Sequence, residues 1–213
     1  RDRHAGRHDK PIVAGDVSAR SVGVAACVAV ALCVPLSLLS GWRAALVHLA
    51  AVAVAWAYNA GLKGTIVSPL PYALAFGALP AFVTLGLPGH PWPPAWSVAA
   101  AALLGCGAHF VNALPDLVED QRVGVRGVPH GIGPTSSIVV AGLLMGGAAI
   151  LVAASAGSRV RAREVGFAVV ALIGVSAVVA LALTGRGRAS WSATLGVATL
   201  TVAMFVARGD ALA

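Results

Sequence analysis

The sequence predicts an all-α fold, a polytopic membrane bundle of helices. Three observations carry that expectation. Of the 213 residues, 58% are hydrophobic and only 11% are charged, and the mean hydropathy is +0.86, far from the composition of a soluble domain. Charge-poor apolar runs recur along the chain at about the length that a bilayer asks of a helix, roughly 17 to 25 residues. The polar residues gather between those runs, in company with Pro and Gly.

The opening, RDRHAGRHDKPI, is charged and lacks the apolar centre of a signal peptide. Because it runs through Pro11 straight into an apolar stretch, it reads as an interhelical loop, with the expectation that earlier helices belong to a longer polypeptide. Residues 1–16 form that cytoplasmic loop and residues 17–213 a single transmembrane bundle. Spans are expected at Val17–Leu39, Ala44–Tyr58, Leu70–Leu87, Ala95–Ala113, Thr135–Ala156, Val165–Leu183 and Trp191–Ala207. These make about seven, of which the second is short.

With seven spans, the opening loop, the loop after Tyr58 and the loop after Ala113 emerge on one face. Most of the eight acids fall there: Asp2, Asp9, Asp16, Asp116, Glu119 and Asp120. Lys and Arg are also more frequent on that face, which by the positive-inside rule makes it cytoplasmic; the Arg159, Arg161, Arg163 cluster runs against the trend. The opposite loop, GLPGHPWPPAW, is uncharged and sets Trp92 and Trp96 at headgroup level. A net charge of +7 scattered between apolar spans serves topology and gives no duplex-binding face, so nucleic acid is not an expected partner. Cys27, Cys33 and Cys106 lie inside apolar runs without metal-ligand spacing and read as small buried side chains. Gly142, Gly146 and Gly147 fit close helix crossing.

Three polar groups stand out. Asn112, Asp116 and Asp120, in NALPDLVED, have the spacing that stacks side chains in one row of a helix, with Pro115 placed to interrupt it and free backbone carbonyls. Two carboxylates at a membrane edge call for a cation. The basic residues near them point to Mg²⁺ carrying a phosphate ester, since Mg²⁺ is held by one or two carboxylates plus phosphate oxygens. The plain alternative is a solvated helix end, though acids beside lipid are costly and mark function by default. The second group is Asp2, Arg3, Arg7, Asp9 and Lys10, either a topological anchor or a diphosphate clamp of Arg forks and a Lys point charge. The third is YNAGLK, Tyr58 to Lys63, which alone is no more than an interfacial Tyr and Lys. An ion-coupled transporter using Asp116 and Asp120 as intramembrane ligands remains open on these residues.

Taken in order, the three groups resemble the UbiA-type intramembrane prenyltransferases, in particular their actinobacterial branch. Members carry NDxxDxxxD after the second helix, a YSxxLK-like motif after the fourth and DxxxD after the sixth. RDRHAGRHDKP resembles the tail of the first motif, with Asp2 as its last aspartate; YNAGLK resembles the middle one with Asn59 in place of Ser; NALPDLVEDQRVGVRGVP resembles the last, with Asn112 where many members carry Asp. The resemblance covers essentially the whole chain. It implies a nine-helix fold entered here before the third helix, so that the upstream aspartates are missing and this chain alone would be inactive. It also implies an enzyme of the plasma (inner) membrane with its active face cytoplasmic, using Mg²⁺ to transfer a polyprenyl group from polyprenyl diphosphate to a small aromatic or lipid acceptor.

By the same resemblance the metal ligands are Asp2, Asp116 and Asp120, and the diphosphate contacts are Arg7, Lys10, Lys63, Arg126 and Asn112. Asp116, Asp120, Tyr58 and Lys63 are the catalytic set. Membrane lipid surrounds the bundle, and Trp56, Tyr72, Phe76, Phe82 and Phe110 either line an isoprenoid groove or simply pack. His109 is a base for the acceptor or ordinary polar packing, and His130 a loop residue. Phosphoribosyl transfer onto a polyprenyl phosphate is the alternative chemistry on the same scaffold, and a degenerate, non-catalytic scaffold the alternative without chemistry.

Overall fold

The computed structural model describes residues 11–122, 124–155, 162–184 and 187–207. Asp2, Arg7 and Lys10 lie outside them. Among the described residues the chain is helical without a strand: α1 (Pro11–Ala14), α2 (Ala19–Leu38), α3 (Trp42–Ala60), α4 (Leu70–Leu85), α5 (Ala95–Ala113), α6 (Leu117–Arg122), α7 (Val128–Ala154), α8 (Ala162–Leu183) and α9 (Gly187–Val206), with 3-10 turns at Leu62–Gly64 and Leu114–Asp116.

Local chemistry sets the boundaries. Ser18 caps α2 by accepting the Ser21 N–H at 2.9 Å, which satisfies one of the orphan donors of the first turn. Pro71 sits in the first turn of α4, where a missing N–H costs nothing. Pro115 ends α5 and turns the chain through Leu114–Asp116 into α6. A kink at Gly133, with φ +81°, precedes Pro134 inside α7, and only glycine takes that conformation cheaply.

The count of membrane spans is corrected here. Among the described residues three helices are long and apolar enough to cross a membrane, Ala19–Leu38, Ala95–Asp116 and Val128–Ala154, instead of the expected seven within a fold of nine. Helix α4 has 16 residues, about 24 Å at 1.5 Å per residue, against a hydrocarbon core of about 30 Å. Helix α3 has 19 residues, but Arg43, His48, Tyr58 and Asn59 dilute its apolar run. In the last two helices the described apolar stretches, Val169–Leu181 and Ser192–Met204, fall in the 10–17-residue range.

Packing follows side-chain size. The main core joins α5, α7, α8 and α9 through Ala100, Leu104, Phe110, Ala141, Met145, Ala148, Val175 and Val178, among others. Without a hydrophobic drive between helices in lipid, contact area between small-residue faces carries association. Gly105 is the closest crossing: a Cβ there would stand 2.5 Å from both Phe76 Cβ and the Tyr72 carbonyl oxygen, so α4 lies directly on α5. Gly142 and Gly146 face Val175 of α8, as their small-residue spacing predicts. With α3, α4 and α5 packed in chain order, the α3–α4 link and the segment after α5 come out at the same end of the bundle.

Candidate active site

At that end a cavity of about 150 Å³ is lined by Tyr58, Asn59, Lys63, His109, Asn112, Ala113, Asp116, Asp120, Val125 and His130. Three separated segments meet here. The row Asn112, Asp116, Asp120 keeps to one wall although the helix is broken between its members, because the 3-10 turn at Leu114–Asp116 leads straight into α6. Lys63 arrives from the turn that ends α3. The chain then doubles back after α6: Gly124, at φ +80°, lets the Val125 N–H return to the Asp120 carbonyl oxygen at 2.9 Å.

The returning loop is docked on the segment that carries Lys63. The Val128 N–H donates to Ser68 Oγ at 3.1 Å. Gly127 lies so close that a Cβ would meet the Lys63 carbonyl oxygen and come within 2.9 Å of Ser68 Oγ. These contacts bring Arg126 beside Gly64, whose Cβ would stand 4.0 Å from the Arg126 backbone nitrogen; the Arg126 side chain itself is exposed and is not part of the cavity wall.

Tyr58 and His109 on the cavity wall belong to a cluster of rings. The Tyr58 ring meets Tyr72 edge-on at 5.2 Å and His109 edge-on at 5.8 Å, and Tyr72 stacks on Phe76 at 6.2 Å. Asn112 Nδ2 donates to the Tyr72 hydroxyl at 3.0 Å. Burial first, then Tyr72 and Asp120 nearby, push the Tyr58 hydroxyl up to about 12, so it stays a neutral donor at any physiological pH.

Two further cavities share lining residues in series with the first. One of about 310 Å³ shares Tyr58, Asn59 and Asn112 with it and adds Tyr72, Ala75 and Phe76. Phe76 also lines an apolar groove of about 460 Å³ with Leu79, Val83, Leu104, Met145 and Val202. Of the aromatic residues expected to line a groove, Tyr72 and Phe76 do so along this series. Trp56 lines a separate apolar groove between α2 and α3. Phe110 is buried in the core, and Phe82 packs on His48 at 5.0 Å.

His130, expected from the sequence to be a loop residue, is instead helical and lines the cavity. It is part of α7, whose first turn holds Pro129, and its Nε2 stands 3.7 Å from Asp120 Oδ2. Pro129 at a helix start was the available signal.

Among the described residues no group of three or more His, Cys, Asp or Glu side chains is gathered in a way that could hold a metal by itself. The donor set fits an incompletely caged cation: Asp116 and Asp120 offer hard oxygens on one small cavity, which suits an ion that completes its shell from phosphate and water.

Comparison with known proteins gives the family. No curated protein and no solved structure matches the chain. The sequence model described as "UbiA prenyltransferase family" matches residues 1–182, most of the chain's length. This protein, with apolar helices long enough to cross a membrane and a carboxylate-lined cavity at one end of its bundle, belongs to the UbiA prenyltransferase family.

Proposed function

We propose that this protein transfers a polyprenyl group from its diphosphate to a small aromatic or lipid acceptor, with Mg²⁺-assisted departure of diphosphate. One observation carries the reading: three cavities that share lining residues in series grade from carboxylates and Lys63, through the rings of Tyr58, Tyr72 and Phe76, to a wall of purely apolar side chains. That is the profile of an allylic diphosphate, with a charged head, a reactive carbon and a hydrocarbon tail.

The roles follow from the chemistry of each group. Asp116 and Asp120, with Asp2 from the opening segment, are the carboxylates for the metal. Mg²⁺, when bound, neutralises charge on the leaving diphosphate. Lys63 on the cavity wall, and Arg7, Lys10 and Arg126 from the flanking segments, make charge-assisted contacts to phosphate oxygens. Asn112 fixes the Tyr72 ring through its hydroxyl and keeps its amide oxygen for the head-group side. Tyr58, as a neutral phenol, offers a hydrogen bond without adding negative charge.

In the reaction the bond between the allylic carbon and the diphosphate oxygen breaks, and its electron pair leaves on that oxygen. The allylic cation lies among the ring faces of Tyr58 and Tyr72, which favour positive charge. The acceptor then supplies the pair for the new bond and gives up a proton. Because the tail groove opens along apolar helix faces, substrate enters from lipid, and the charged end of the bundle is assigned to the cytoplasmic side of the plasma membrane.

The test incubates the protein, expressed from its complete coding sequence, with a labelled allylic prenyl diphosphate in detergent or liposomes. Release of pyrophosphate, lost in Asp116→Asn and absent with a saturated prenyl diphosphate, is the expected result. Equal release by Asp116→Asn, or no release with any allylic substrate, overturns the reading.

A further inference from the structure

His109 is 1% exposed, on α5, and lines the carboxylate cavity. Its Nε2 stands 3.1 Å from Ser68 Oγ, while Nδ1 has no hydrogen-bond partner among the described residues. The two nitrogens of a neutral imidazole are distinct, one a donor and one an acceptor, and the partner of the first decides what the second presents.

Ser68 makes that decision. It is fully buried, at 0% exposure, and its oxygen already accepts the Val128 N–H at 3.1 Å. Its own O–H needs an acceptor, and His109 Nε2 is the only one described within reach. Were Nε2 protonated, in a neutral or a charged ring, the buried O–H would be left unmet, which costs more than a hydrogen bond returns. The serine proton therefore goes to Nε2, and the ring proton sits on Nδ1.

We infer that Ser68 fixes His109 as the neutral Nδ1–H tautomer, making it a positioning residue that donates one hydrogen bond from the cavity wall to an oxygen of the bound diphosphate. This rests on the function proposed above and deepens it. It also decides against His109 as a base for the acceptor, since the nitrogen turned from Ser68 carries a proton. The groups sharing the cavity suit a donor: Asp116 and Asp120 line it with His109 and Lys63, and an anionic head group held there attracts an N–H. The link has a structural use as well, since Ser68 ties the Lys63 segment both to α5 and to the start of α7, so a head group that engages His109 engages all three.

Two measurements test it. Nitrogen-15 NMR of the histidine-labelled protein reads the tautomer directly: a proton on Nδ1 of His109 in the native protein is expected, and a proton on Nε2 overturns the inference. Binding of pyrophosphate in the presence of Mg²⁺, by equilibrium dialysis, reads the donor. His109→Asn, which keeps an N–H close to the Nδ1 position, is expected to bind within about threefold of native, and His109→Leu about tenfold more weakly, the loss of one charge-assisted hydrogen bond. Equal binding by His109→Leu, or an equal loss in both variants, overturns the donor role. Should native protein and Asp116→Asn alike fail to bind, the proposed function itself falls, while the NMR result still reads the Ser68–His109 arrangement.

Discussion

A methyl group added at Gly127 tests whether the motif segments are held together by close backbone approach. In Gly127→Ala the new carbon would collide with the Lys63 carbonyl oxygen and lie 2.9 Å from Ser68 Oγ and 3.3 Å from Ser68 Cβ. The first obstacle is backbone, so relief requires moving the loop off the Lys63 segment. Overpacking of this kind costs about 1–3 kcal/mol, and separating the segments also breaks the Val128 N–H bond to Ser68, worth about 1 kcal/mol. The sum, about 2–4 kcal/mol, is local and falls on the site. Hydrogen exchange followed by mass spectrometry across 124–130 is expected to rise by one to three orders of magnitude, with a higher KM for the diphosphate substrate. Gly131→Ala, where nothing lies within 4 Å of the new carbon, serves as the control and is expected to change neither. Native-like exchange and KM in Gly127→Ala would refute the reasoning.

The remaining predictions concern single groups. Asp116→Asn and Asp120→Asn should each lower kcat by about 10²–10³-fold, the scale seen when one stabiliser of developing charge is removed, read by steady-state kinetics. Lys63→Ala should weaken diphosphate binding by about ten- to a hundredfold, the range for a charge-assisted contact, read as a rise in KM. Gly105→Ala should destabilise the bundle by about 1–3 kcal/mol, because its Cβ would meet Phe76 Cβ and the Tyr72 carbonyl oxygen at 2.5 Å; thermal unfolding in detergent checks it. Tyr58 ionises at about 12 in the folded protein against 10.0 for the free phenol, so its contribution to stability is complete below pH 10 and is lost as pH rises from 10 towards 12. Tyr58→Phe should flatten that part of an alkaline unfolding profile, and an unchanged slope would contradict the assignment.

Much of the cavity wall can be read from local sequence, because its residues sit in short motifs. Asn112, Asp116 and Asp120 are spaced for one row, and Pro115 announces the break that the 3-10 turn makes between them. The small-residue spacing of Gly142 and Gly146 likewise anticipates the contact with Val175. Span length could not be read the same way. The run from Leu70 to Leu87 is uncharged throughout, yet Pro71 opens α4 and Gly86 closes it after 16 residues, so hydropathy alone overstates the helix. His130 hides in GVRGVPHG, where Gly and Pro suggest a loop although Pro129 opens a helix. The bond from Ser68 to His109 and the seat of Gly127 on Lys63 join residues far apart in the chain, and no local pattern encodes either.

The central claim is that Asp116 and Asp120 grip a divalent cation together with a diphosphate, and Mn²⁺ in place of Mg²⁺ makes that directly observable. Electron paramagnetic resonance of the purified protein with Mn²⁺ and pyrophosphate is predicted to show a protein-bound ion that requires pyrophosphate and disappears in the double variant Asp116→Asn, Asp120→Asn. A bound signal of equal strength in the double variant, or one indifferent to pyrophosphate, would contradict the account.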